Sequence, residues 1–375
     1  MFALALWDAM ARRLSLARDR LGEKPLYYGW QARTLLFGSE LVALRRHPAF
    51  RAQVDREALS RYLNRGYVAG AKSIYEGVER LPPGSLVHVS AEDAAHQRCG
   101  DVVSFWKMPT PAQATTDSAA LTPRTAADQL LQLLRDAVRG QMIADVPLGA
   151  FLSGGIDSSL IVALMQEASD RPVKTFTIGF SEPRFDEAPF ARAIARHLGT
   201  DHHELYVTPQ AALDVVEKLP RIYSEPLGDS SQIPTFMVAC LARQHVTVAL
   251  SGDAGDELFC GYARYFAAWD MWQRLRCLPG PVRGALGPLL SAMPVAPLNA
   301  AGRVLQRLVP GPFQRHRLGD DVRRTAPLLG ARSAMDVYLS LLSQDPTAGT
   351  LVVGGCRDTW PEADSVSKES EVAYF

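Results

Sequence analysis

Over the first hundred positions, apolar residues come in short runs separated by turn formers. The runs are Phe2 to Trp7, Leu14 to Ala17, Leu26 to Trp30, Thr34 to Phe37 and Ser85 to Val89, and Gly22, Gly29, Gly38 and Pro82-Pro83-Gly84 punctuate them. Short runs of this kind predict strands joined by turns, in a mostly antiparallel β layer. One helix interrupts it at Arg56 to Asn64, where Ala58, Leu59, Tyr62 and Leu63 fall on one face. From Lys107 to Arg124 the chain is rich in Pro, Thr, Ala and Ser and poor in large apolar residues, which predicts a linker.

Beyond it the period changes. Ala126 to Met142 places Leu130, Leu131, Leu134, Ala137 and Val138 at helical spacing. Val146 to Leu152 predicts a buried strand and Ser159 to Ala168 a helix. Val173 to Phe180 predicts a strand, Ala188 to Leu198 a helix and His203 to Val207 a strand. Pro234 to Gln244 predicts a helix and Val246 to Leu250 a strand. Strand and helix alternating in this way predict a parallel sheet with helices on both faces. Ligands of such sheets sit beyond the carboxyl ends of the strands. Past Arg264 the chain is Pro-rich, with helical patches at Ala300 to Val309 and Met335 to Leu342, and Asp364 to Phe375 is polar without pattern.

Composition narrows the partners. The 375 residues carry 40 basic and 40 acidic side chains, so no positive excess favours nucleic acid. The five cysteines (Cys99, Cys240, Cys260, Cys277, Cys356) include no C-x-x-C pair, which argues against a disulfide framework or zinc site and suits a reducing cytoplasm. No run reaches the ~20 apolar residues of a membrane helix, and the apolar start lacks the flanks of a signal peptide. A soluble, cytoplasmic protein is expected.

The chemistry is concentrated in Ser153-Gly154-Gly155-Ile156-Asp157-Ser158-Ser159, between a predicted strand and a predicted helix. Glycines bring backbone N–H groups close to a ligand, and a helix starting at Ser158 or Ser159 adds free donors and partial positive charge. Ser153, Ser158 and Ser159 offer hydroxyls to phosphate oxygens. Asp157 would repel phosphate and suits a Mg²⁺ ion shared with it. The loop lacks the Gly-Lys-Ser/Thr ending of the Walker type and matches S-G-G-x-D-S, the motif of pyrophosphatases that split ATP into AMP and pyrophosphate.

A second loop, Ser251 to Glu257, ends another predicted strand. Ser251-Gly252 would run alongside the nucleotide, and Asp253, Asp256 and Glu257 offer carboxylates for a second metal contact. Asp186-Glu187 is expected to cap the following helix. His202-His203 would point to opposite strand faces and share no metal.

These motifs resemble the glutamine-hydrolysing asparagine synthetase family. The resemblance runs from residue 2 to about 355, through ALWDAMARRLSLARDRLGEKPLYY, LLFGSELVALRRHP, SIYEGVERLPPG, DVPLGAFLSGGIDSS, VKTFTIGF, FDEAPFARAIARHLGTDHHE, DSSQIPTF and ALSGDAGDELFCGYARY. It implies a closing part of an N-terminal-nucleophile glutaminase domain at 1–106, a linker at 107–124 and an ATP-pyrophosphatase synthetase part, incomplete at its end, at 125–375. It further implies that Leu152 and Ile178 line an adenine site. Ser153, Gly154, Gly155, Asp157, Ser158, Ser251 and Gly252 would hold phosphates and metal, Asp256 would be a Mg²⁺ ligand, and Asp253 would serve formation of a β-aspartyl-adenylate. Ala254 and Cys260 stand where the family usually has glycine, departures expected to narrow the loop.

The implied activity is ATP-dependent conversion of aspartate to asparagine with ammonia, free or drawn from glutamine; a homodimer is compatible. The family's glutaminase nucleophile is an N-terminal cysteine, whereas this chain opens with Met1-Phe2 and has no cysteine before Cys99. The sequence therefore reads as a fragment that cannot use glutamine and whose N-terminal layer exposes apolar strand edges. A related adenylating amide or β-lactam synthetase, and an inactive nucleotide-binding remnant, stay open as alternatives.

Overall fold

The computed structural model describes residues 1–109, 122–300, 318–344 and 348–355. Its contacts divide the chain into two compact units, one of Met1–Gly261 that takes in Thr350–Cys356, and one that begins at Tyr262.

The first unit opens with the predicted antiparallel strands. They form two sheets rather than one. Strands β1 (Ala3–Asp8), β2 (Arg13–Arg18), β6 (Ser85–Val89) and β7 (Val102–Ser104) make one in the order β1-β2-β6-β7. Strands β3 (Tyr27–Gln31), β4 (Thr34–Gly38) and β5 (Glu79–Arg80) make the other, in the order β4-β3-β5. A buried apolar cluster around Leu16, Leu81 and Val87 takes in Tyr28 of β3 and so draws on both sheets, and a second lies around Leu41, Ala58 and Val78. Helix α1 (Arg56–Arg65) contributes Ala58 and starts as its sequence dictates: the Asp55 carboxylate accepts the Ala58 N–H at 2.9 Å, and Gly66 ends the helix in the left-handed conformation. Strand β1, an edge of its sheet, leaves Leu4, Leu6 and Trp7 exposed, as expected for an unpaired edge.

Helix α2 (Pro123–Gln141) begins before the expected linker ends, because Thr122 accepts the Thr125 N–H and Pro123 takes the first helical position, where no N–H is needed. Residues 110–121 of the expected linker lie outside the described residues. Strands β8 (Leu148–Phe151), β9 (Lys174–Phe180), β10 (Asp201–Val207) and β11 (Val248–Leu250) form the predicted sheet, all pairs parallel, in the order β10-β9-β8-β11.

Strand alternation assigns the faces. Ala150 and Leu152 join a cluster with Val162 and Met165 of helix α3 (Ile156–Glu167) and with Ala191 and Ala195 of helix α4 (Ala188–Leu198). Phe151 and Phe176 pack instead with Val238 and Ala242 of helix α5 (Gln232–Arg243). Helices thus cover both faces, and β8 sits between β9 and β11. No helix among the described residues is long and apolar enough to cross a membrane.

The second unit packs helix α6 (Ala263–Leu275) against helix α7 (Ala334–Leu342) through Ala268, Met271, Trp272, Val337 and Tyr338. The second of these matches the expected patch at Met335 to Leu342. The patch expected at Ala300 to Val309 falls, beyond Ala300, outside the described residues, as does Asp364 to Phe375.

Candidate active site

Both glycine-rich loops leave the carboxyl ends of adjacent strands. Ser153–Gly155 follows β8, Ser251–Ala254 follows β11, and β8 and β11 pair in parallel. Helix α3 begins at Ile156 with Gly155 as its cap residue, two or three residues earlier than the expected start at Ser158 or Ser159. No side chain caps it, so backbone donors of its first turn stay available to a ligand. The earlier start puts Asp157 in that first turn rather than in the loop.

The serines divide by role. Ser158 is buried, and its hydroxyl accepts the Ser153 N–H at 3.2 Å and lies 3.0 Å from the Ser153 hydroxyl. Ser159 turns back and donates to the Gly155 carbonyl at 2.6 Å. Gly154 has a φ of +87°, and a side chain there would meet the backbone of Ala191 and the Phe190 Cβ at 2.8 Å, so its lack of a Cβ lets α4 pack against the loop. Gly154 and Ser159 border neither cavity described next.

Two cavities open here. One, of about 610 Å³, is apolar and is lined by Leu152 and Ile178 together with Phe151, Phe180, Val207 and Ile233. The other, of about 600 Å³, is polar and takes in Ser153, Gly155, Asp157, Ser158, Ser251, Gly252, Asp253 and Asp256. Phe151 and Ser153 line both and form the divide. Each volume is that of a small-ligand site.

The two loops touch directly. A Cβ on Gly252 would sit 2.6 Å from the Ser158 nitrogen, and one on Gly255 would sit 2.5 Å from the Asp157 carboxyl carbon. Any side chain at either position would force the loops apart. Asp157 and Asp256 therefore share one chamber, though Glu257 does not line it. Asp253 accepts the Ser251 hydroxyl at 3.0 Å. Two carboxylates beside loop amides suit a magnesium ion that keeps waters and phosphates as its other ligands; no group of three or more Asp, Glu, His or Cys side chains placed to hold a metal ion exists among the described residues.

Ala254 and Cys260 have φ of +71° and +56°. These are left-handed positions that glycine adopts freely and a side chain does not. The departures from glycine therefore bear on backbone conformation, and both side chains are exposed.

Of the expected capping pair, Asp186 accepts the Ala188 N–H at 3.2 Å at the start of α4, whereas Glu187 makes no side-chain cap bond and lines the apolar cavity. His202 contacts the Thr175 hydroxyl at 2.8 Å, while His203 stacks on His245 with ring centres 4.0 Å apart. Burial, outweighing the nearby Glu204, pushes the His202 imidazole below its ordinary pKa.

Sequence reasoning missed the apolar walls contributed by Phe180, Phe185, Val207, Ile233 and Val238 and the polar rim of Ser230 and Ser231. Their local patterns read as ordinary strand and helix faces, and only their convergence makes a cavity.

Residues 129–371 match the family described as Asparagine synthase, and residues 1–99 match the Glutamine amidotransferase domain. The chain belongs to the asparagine synthase family. A Methanocaldococcus jannaschii protein named for this family is 33% identical over 274 residues, 72% of this chain and 51% of that protein. The Bacillus subtilis protein named asparagine synthetase [glutamine-hydrolyzing] 1 is 34% identical over 272 residues, 71% of this chain and 40% of its own length. The chain thus spans about half the length of such curated relatives or somewhat less. Among solved structures, an NH3-dependent NAD synthetase of Campylobacter jejuni overlaps 54% of this chain and 96% of its own at 13% identity and a TM-score of 0.28. That overlap is slight, and the fold rests on the strand pairing described above.

Proposed function

We propose that this chain is an ATP-dependent, amide-forming ligase that converts aspartate to asparagine through a β-aspartyl-adenylate. The observation that carries the reading is the pair of adjoining cavities, one apolar and one polar, divided at Ser153. Adenosine has the chemistry of the first and a triphosphate that of the second. Leu152 and Ile178 would pack against the base. The N–H groups of the first turn of α3, the Ser153 and Ser158 hydroxyls and the Ser251-Gly252 backbone would bind the phosphates.

Asp157 and Asp256 would hold Mg²⁺, which when bound neutralises phosphate charge and keeps the leaving pyrophosphate aligned. An aspartate β-carboxylate oxygen would bond to the α-phosphorus while the bond to pyrophosphate breaks. Ammonia would then attack the acyl carbon, lose a proton and expel AMP. Asp253, fixed by the Ser251 hydroxyl, would hold the acyl substrate in register for the first step. The ammonia would come from solution or from glutamine.

Calorimetric titration with ATP and Mg²⁺ tests the nucleotide reading. Aspartate-dependent exchange of pyrophosphate into ATP tests the chemistry. Asp253→Asn is expected to keep ATP affinity and lose exchange by about a hundredfold, the scale of a positioning contact used in the transition state. Exchange at the parent rate in this variant would remove Asp253 from the mechanism. Absence of ATP binding by the parent chain would overturn the whole reading.

A further inference from the structure

The 223–231 loop, between the short helix Leu219–Ile222 and α5, has its hydrogen bonds to distant parts of the chain directed into the N-terminal β layer. The Glu225 carboxylate, largely buried, accepts the Tyr27 hydroxyl at 3.0 Å and the Ile74 N–H at 2.8 Å, and it pairs with the Arg80 guanidinium. The Arg80 guanidinium also lies 5.4 Å from the centre of the Tyr27 ring. Three residues on, the Gly228 N–H donates to the Gly66 carbonyl, the cap of α1, at 2.6 Å.

Toward α5 the hydrogen bonds of the loop are local. Gln232 donates through its side chain to the Leu227 carbonyl at 3.0 Å, and Asp229 accepts the Ser231 N–H at 2.8 Å. Ser230 and Ser231 are part of the apolar cavity wall. The loop is thus gripped at one end by the β layer and forms the cavity at the other, with four residues between Glu225 and Ser230. Buried hydrogen bonds to a charged group are among the stronger ones a protein makes, so this clasp defines where the cavity wall stands.

We propose that Tyr27 and Arg80 are positioning residues for the nucleotide cavity: by clasping Glu225 they set the 223–231 loop, and with it the Ser230–Ser231 wall against which the nucleotide packs. The proposal rests on the ATP reading above. It makes the N-terminal β layer part of the binding apparatus of the parallel sheet, although none of its residues lines either cavity. Thermodynamic linkage then requires the reverse effect, that a nucleotide in the cavity tightens the clasp.

The test uses the full chain with Tyr27→Phe, which removes one hydroxyl, and Arg80→Ala. Calorimetric titration with ATP and Mg²⁺ is expected to show affinity lowered about threefold in the first and about tenfold in the second, the range of a one-bond and an ion-pair contribution to coupling. Thermal melting of each variant separates this from general loss of structure. Amide exchange of the parent supplies a readout independent of any variant: saturating ATP is expected to slow exchange at Ile74 and Gly228. Should Arg80→Ala fail to fold, Tyr27→Phe and the exchange measurement decide. Affinity within twofold of the parent in folded Tyr27→Phe, with exchange at Ile74 and Gly228 indifferent to ATP, would overturn the proposal while leaving ATP binding intact. A parent chain that binds no ATP would instead bring down the functional reading and this inference with it.

Discussion

Two polar turns of the same unit, Arg18–Lys24 and Ser153–Ser159, each contain an aspartate and glycine and put the carboxylate to opposite ends. In the first, Asp19 is buried and its carboxylate accepts the N–H groups of Phe2, Glu23 and Lys24 at 2.9–3.0 Å. Arg18 beside it gives its guanidinium to the carbonyls of Gly22, Lys24 and Leu81. Both charged side chains are consumed by backbone. In the second, Asp157 stands in the open polar chamber, and the first turn of α3 has no capping side chain. A turn whose polar groups are all engaged holds the fold, whereas one that leaves donors and a carboxylate facing a cavity has bonds left for a ligand.

That contrast predicts opposite responses to the same substitution. Asp19→Ala would leave three backbone donors orphaned inside the layer and is expected to cost about 3 kcal/mol of stability, measured by denaturant unfolding. A loss below about 1 kcal/mol would show that the Arg18–Lys24 turn is not the fixed element described here. Asp157→Ala is expected to leave unfolding unchanged within about 0.5 kcal/mol, as a substitution outside the packed core does. It should weaken Mg²⁺-dependent ATP binding about a hundredfold, about 2.7 kcal/mol. If it destabilises the protein as much as Asp19→Ala does, the two turns are not different in kind.

The pH dependence sharpens the same comparison. Burial pushes the Asp19 carboxyl up, but backbone donors from Lys24, Glu23, Phe2 and Gly22 outweigh it and hold the group below its ordinary range. Because the folded pKa is the lower one, the stability Asp19 contributes is fully present above the unfolded value of about 3.9 and is lost as pH falls through the folded value. Acid unfolding curves of the parent and of Asp19→Asn should therefore converge toward low pH. Curves that stay parallel would mean Asp19 is not titrating in the folded state.

The smallest effect expected concerns the second glycine-rich loop. Ala254, exposed at φ +71°, carries a left-handed penalty of about 1–2 kcal/mol that glycine would remove, against about 0.4–1 kcal/mol of added unfolded-chain entropy. Ala254→Gly is therefore expected to raise stability by about 0.5–1 kcal/mol, seen as a small rise in Tm. A fall in Tm would show that the loop relaxes out of this conformation in solution.

Much of the architecture was legible because its signals are local. Short apolar runs between turn formers marked β1 to β4 and β6, and strand–helix alternation marked the parallel sheet, since both signals lie within a few neighbouring residues. The S-G-G-I-D-S-S loop was legible for the same reason: glycine, hydroxyl and carboxylate at a strand's end carry their chemistry in the order of neighbours. The start of α3 was placed two or three residues late because serine is a favoured cap, yet here Ser158 turns inward onto Ser153 and glycine takes the cap position. Local preference yielded to the Ser153–Ser158 contact, which closes the turn between β8 and α3 on itself.

Sequence by itself determined the two kinds of sheet, the helices between parallel strands and the order of glycine, hydroxyl and carboxylate groups in the two loops. Tertiary structure alone decided that Ser153 divides two cavities and that Gly252 and Gly255 press on the first turn of α3. It decided too that Ala254 must turn left-handed, and that Glu225 is clasped by Tyr27 from 198 positions away. The physical reason is range. Dihedral preference, alternation and capping act within a few residues, while a cavity or a buried ion pair exists only where distant segments close on each other, and no short window of sequence contains both sides.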